Sequence, residues 1–159
     1  MYTRNFYNIT ASTILNWKTA NSYKIEIKNL SGELIASGNS SENEYTTHTY
    51  FRDAVIRCGS GTSLASINDY SLEQPIENLT YSNSNTRYNY NHNRSISVPN
   101  NLIGFSSIMI TNNNDYPVTV SELILRGYGY GQYICLVREN IEPVIISPKD
   151  YAIFTMALE

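Results

Sequence analysis

Two histidines, His48 and His92, and two cysteines, Cys58 and Cys135, are the chain's whole supply of imidazole and thiol. Neither histidine belongs to an HxH or HExxH spacing, so nothing local places a zinc-binding pair on one face of an element. The cysteines lie far apart, outside any metal or redox spacing. They read as buried free thiols serving as small apolar residues. A disulfide would need their Cα atoms within about 7 Å, which sequence cannot show. No Gly-x-Ser-x-Gly elbow marks a serine nucleophile. Gly59-Ser60-Gly61 hints at a phosphate cradle, but no Lys follows at P-loop spacing and no helix opens after it. A left-handed backbone at a strand-to-loop corner is the expected reason for these glycines. Asp53, Asp69, Asp115 and Asp150 all stand beside turns or loop ends, where turn chemistry accounts for them. No calcium loop is present. No catalytic residue, metal ligand or cofactor-binding residue is therefore assigned, and the chain reads as non-enzymatic.

The elements that carry these residues read as strands. Tyr23 to Lys28 alternates strictly, Asn29 to Gly32 is a turn, and Glu33 to Ser37 returns as a hairpin. Tyr45 to Cys58 has strand composition, with Arg52-Asp53 as a break. A loop from Gly59 to Leu79 follows. Between Asn83 and Pro99, Tyr88, Tyr90, His92, Arg94, Ile96 and Val98 share one parity, while asparagine and serine fill the other. Ile103 to Thr111 is another strand, and Asn112 to Asp115 is a turn. Val118 to Arg126, Tyr133 to Glu139, Val144 to Ser147 and Tyr151 to Leu158 complete the series. Gly127 to Gly131 forms a flexible hairpin tip. Within Val118 to Arg126 the apolar parity switches, from Val118 and Val120 to Leu123 and Leu125. That predicts a β-bulge at Ser121-Glu122, with the Glu122 carboxylate taking backbone N–H bonds. Glu122 is thus expected to be structural, and Glu122→Gln to be modestly destabilising. About eight to ten strands without a helical period predict an all-β fold, an antiparallel β-sandwich of jelly-roll-like or immunoglobulin-like form. One domain spans 1–159, with residues 1–20 as a candidate N-terminal arm.

Two blocks carry a resemblance. The first reads CGSGTSLASINDYSLEQPI, from Cys58 to Ile76, and the second runs from Pro117 to Glu159. Their shared positions are Gly59, Gly61, Thr62, Asp69, Tyr70, Leu72, Pro75 and Ile76, then Val118 to Glu122, Arg138, Glu139, Pro143 and Pro148. A strand leading into Gly-x-Gly-Thr, a loop ending in Asp-Tyr-x-Leu, a Val-Thr-Val-Ser-Glu strand, an Arg-Glu strand end, a proline-containing turn and a closing apolar strand resemble small virion proteins of tailed bacteriophages. The resemblance spans roughly the last hundred residues. It implies a structural subunit of the head, neck or tail, present in many symmetric copies. Its partners would be other virion proteins and copies of itself, and its location the virion.

Composition bears on partners. Charged residues make up 16% of the chain and the net charge is −3, which leaves no basic track for nucleic acid. No apolar run reaches the ~20 residues that span a membrane, so no membrane partner is expected. Fourteen tyrosines and abundant asparagine beside scarce lysine describe a polar but uncharged surface. Such a surface suits contacts between identical neighbours, since like charges repel. The Tyr88, Tyr90, His92 and Arg94 face and the Tyr128 and Tyr130 tip are the candidate subunit-contact residues. A carbohydrate- or receptor-binding module, stacking the same tyrosines on a host-surface glycan, is the alternative.

Overall fold

A computed structural model describes residues 1–7, 24–39, 55–88, 104–129 and 132–158. The fold is an all-β antiparallel sandwich, with eight strands among the described residues. Strands β1 (Lys24–Lys28) and β2 (Leu34–Asn39) form a separate hairpin. One three-stranded sheet is ordered β3 (Val55–Gly59), β6 (Val118–Gly129), β7 (Gln132–Ile146). The other is ordered β4 (Leu79–Tyr88), β5 (Gly104–Asn112), β8 (Tyr151–Leu158). All pairings are antiparallel.

Period-two alternation explains how the sheets face each other. Ile56 and Cys58 of β3, Leu123 and Leu125 of β6, and Ile134 and Leu136 of β7 share one core with Ile108 and Ile110 of β5 and Phe154 and Met156 of β8. Ile153 is 60% exposed while its neighbour Phe154 is 7% exposed, so β8 turns one clean face inward.

The predicted parity switch is present as a register shift between Val120 and Glu122. Val120 pairs with Val144 and Glu122 with Asn140, so Ser121 stands opposite Ile141, Glu142 and Pro143. This corrects the two short strands expected at Tyr133–Glu139 and Val144–Ser147. They are one strand, β7, which passes through Pro143. A proline survives there because the bulge asks no ladder hydrogen bond of it. The strand expected from Asn83 starts earlier, at Leu79, with a bulge between Asn83 and Asn85.

The first seven residues, the start of the candidate arm, are docked. Tyr2 bridges to Val137, and Thr3 Oγ1 donates to the Cys135 carbonyl at 2.7 Å. Phe6 enters the core, and the Asn5 amide exchanges two hydrogen bonds with the Lys28 backbone at 2.8 and 2.9 Å. At the opposite corner, the buried Asn112 amide donates to the carbonyls of Tyr116, Ile146 and Ser147. It thereby joins the β5–β6 and β7–β8 turns.

Both thiols are free and buried, as the sequence indicated. Cys58 is on β3 and Cys135 on β7, with β6 between them. Strands two apart are separated by about 9.5 Å, beyond disulfide reach. Burial pushes the Cys58 thiol up to about 11 and the Cys135 thiol up to about 12. Because the folded-state values are raised, unfolded chains ionise first as pH climbs. The stability these thiols contribute is fully present below about pH 9, their ordinary value, and is lost as pH rises through 11 to 12. A thiol-reactive dye at pH 8 should label the native protein negligibly and both cysteines in guanidinium. The melting temperature should hold to about pH 9 and then fall. Rapid labelling of a fully folded sample would contradict this.

Candidate functional site

The bulge at Ser121-Glu122 aims a carboxylate at the long loop between β3 and β4. Glu122 is 0% exposed. Its Oε1 accepts the backbone N–H groups of Gly61 at 3.0 Å and Gln74 at 2.8 Å. Its Oε2 accepts the Glu73 N–H at 3.0 Å and Arg138 Nε–H at 2.9 Å. Four donors therefore fill the four lone-pair positions of one carboxylate.

Arg138, 3% exposed, is the second centre. Its Nη1 donates to Asp69 Oδ2 at 2.8 Å, and its Nη2 reaches the Ser63 carbonyl at 3.2 Å and Glu73 Oε2 at 3.4 Å. Burial alone would pull its pKa down. The hydrogen bonds it donates to Asp69 and Glu122 outweigh that and hold it above the ordinary arginine value. Glu73 is held below the usual carboxylate range, first by the Ser63 backbone N–H at 2.9 Å and then by Ser63's side chain, with a smaller contribution from Arg138. Three carboxylates thus converge on one guanidinium, and no cluster of His, Cys, Asp or Glu among the described residues could hold a metal ion.

The loop is shaped around this centre. Gly59 bridges to Pro75, Ser60 N–H donates to the Gln74 carbonyl at 2.8 Å, and Ser121 Oγ donates to the Gly61 carbonyl at 2.9 Å. Asn140 clamps the loop's other limb, accepting from Ala65 N–H and donating to the Ser63 carbonyl. The reason expected for the glycines needs correction. Neither Gly59 nor Gly61 has a positive φ, a property found only at Gly32 among the described glycines. What they supply is room. A Cβ on Gly59 would collide with Glu122 Oε1, and one on Gly61 would sit 2.6 Å from the same oxygen. Tyr70 closes the loop against the first hairpin, its ring lying on Gly32, whose φ is +80°.

Some of the positions quoted for the sequence resemblance meet in space. Gly59, Gly61 and Asp69 surround the buried carboxylate–guanidinium pair of Glu122 and Arg138, and Pro75 bridges to Gly59 at the exposed rim. Chemically it is saturated: Glu122 has no lone pair left to take a substrate proton, and Arg138 spends its fork on three acids and a carbonyl. The assembly locks the nineteen-residue loop between β3 and β4 onto a sheet, in the role of a built-in staple. Sequence reasoning found Glu122 through the parity switch but assigned Asp69 to turn chemistry alone. Asp69 does both, since its Oδ2 also accepts Ser66 N–H at 2.6 Å.

The nominated contact residues are not brought together among the described residues. Tyr128 is 37% exposed and meets Tyr133 edge-on, with ring centroids 5.1 Å apart. Tyr88 ends β4 opposite Gly104, and its side chain lies outside the described set. Tyr90, His92, Arg94 and Tyr130 also lie outside the described residues. No helix among the described residues is long and apolar enough to cross a membrane. No family model, curated protein or solved structure matches the chain at a significant level.

Proposed function

We propose that this chain is a non-enzymatic structural subunit of a tailed-bacteriophage particle, assembled in many symmetric copies in the head, neck or tail. The observation that carries the reading is the outer face of the β4-β5-β8 sheet. Alternation places Thr80 and Ser82, then Ser107, Met109 and Thr111, then Tyr151, Ile153 and Thr155 on that face. None of them is charged. Tyr151 and Ile153 are 57% and 60% exposed. The described part of this face, uncharged and carrying Tyr151 and Ile153 on β8, can meet a neighbouring subunit without like-charge repulsion. The Glu122–Arg138 assembly supports the same reading, because it rigidifies a loop and its two buried charges are fully engaged in doing so.

The test is Ile153→Lys. The side chain is exposed, so the isolated protein should melt within about 0.5 kcal/mol of the parent. Incorporation of the variant into particles, measured by mass spectrometry of purified virions, should drop severely. Normal incorporation would sink the proposal. A glycan array addresses the alternative of a carbohydrate- or receptor-binding module: specific glycan binding by a variant that no longer assembles would favour it.

A further inference from the structure

We propose that Arg57 and Arg126 form an anion-binding pair for an acidic sugar, with the Tyr128 and Tyr133 rings as its stacking wall. The β3–β6 register sets Val55 opposite Arg126, so Arg57 is one diagonal step away. Each guanidinium lies on a tyrosine face, Arg57 at 4.1 Å from the Tyr81 centroid and Arg126 at 3.9 Å from that of Tyr133. Stacking fixes the guanidinium planes and accepts none of their in-plane N–H bonds; Arg57 Nη1 donates one of them to the Ile56 carbonyl at 2.9 Å, and the remaining donors suit a planar carboxylate.

Arg138 makes an instructive contrast. Three acids surround it, whereas the described residues give Arg57 and Arg126 no carboxylate partner. Arg126 Nε is the one buried side-chain nitrogen or oxygen among the described residues that lacks a hydrogen-bond partner. Burial first, and the charge of Arg57 second, pull the Arg126 pKa below its ordinary value. Among the described residues two neighbouring cations are thus held without a carboxylate beside them, and an oxyanion bound on their Nη groups would relieve that repulsion. Two cations fit one anionic group, not the repeated phosphates of a nucleic acid, for which the chain's charge of −3 is also the wrong sign. Tyr128 and Tyr133, each 37% exposed, offer ring surface beside the cations for the C–H face of a pyranose.

The inference does not depend on particle assembly, and its test uses the isolated full chain. Glucuronate, glucose and acetate would each be titrated at constant ionic strength, with the arginine Nε–Hε signals followed by NMR. Glucuronate should shift the Arg126 signal saturably, glucose should not, and acetate should bind at least tenfold more weakly. Arg126→Gln should weaken glucuronate binding at least tenfold, and Arg57→Gln serves the same purpose if the first variant fails to fold. Absence of a saturable glucuronate shift, or unchanged affinity in a folded variant, would overturn the site. Acetate binding as tightly as glucuronate would overturn the sugar assignment.

Discussion

Glu122→Gln should lower the unfolding free energy by about 3–5 kcal/mol, the range expected when one member of a buried charged pair is removed. The sequence alone suggested a modest loss. Geometry makes it large. Both carboxylate oxygens face two donors each, Gly61 and Gln74 on one side and Glu73 and Arg138 on the other. Whichever way the new amide turns, its NH2 group meets two N–H donors. Asp69 and Glu73 stay beside Arg138 and partly compensate its charge. They cannot accept for the Gly61 and Gln74 backbone. Replacing both partners with apolar residues, as in Glu122→Leu with Arg138→Met, should therefore not restore stability, because the loop's N–H groups would remain unpaired at about 1–3 kcal/mol each. Guanidinium denaturation followed by circular dichroism measures both variants. A loss under about 1 kcal/mol in Glu122→Gln would refute the account, since typical domains have only about 5–15 kcal/mol to lose.

Strands were legible in this sequence where apolar residues keep one parity. Val118 to Leu125 announced its own bulge, because inward residues must keep one parity and Glu122 interrupted it. Tyr151 to Leu158 declared a strand, and Phe154 rather than Ile153 faces the core. The continuity of β7 was hidden by Pro143, a residue that normally ends a strand, because the bulge opposite it cannot be located from one strand's sequence. Gly59 and Gly61 were recognised as special for the wrong reason. The carboxylate that crowds them comes from a position 61 residues after Gly61, and such a meeting leaves no local periodic signal. The Arg57 and Arg126 pair was invisible for the same reason, since only the β3–β6 register makes them neighbours. Local chemistry was readable, and long-range electrostatics was not.

Deleting residues 150–159 should leave the protein insoluble. The deletion removes β8, whose Ala152, Phe154 and Met156 supply one wall of the shared core. It exposes Ile108 and Ile110 of β5, both essentially fully buried in the intact fold. The full length of β5 would also lose its ladder on one side, from Gly104 to Thr111. An uncovered, uncharged strand edge beside newly exposed isoleucines is a template for aggregation. The turn suffers as well, since the Asp150 carbonyl accepts the Asn112 N–H at 2.9 Å and so holds the corner that Asn112 organises. A milder probe separates folding from solubility. Phe154→Ala should remain soluble but lose about 3–5 kcal/mol, the usual cost of truncating a core phenylalanine. Ile153→Ala, on the exposed face of the same strand, should lose under about 1 kcal/mol. Thermal and chemical melts of the two point variants read the difference. Equal losses at the two positions, or a soluble deletion variant that melts cooperatively, would show that β8 does not close the core.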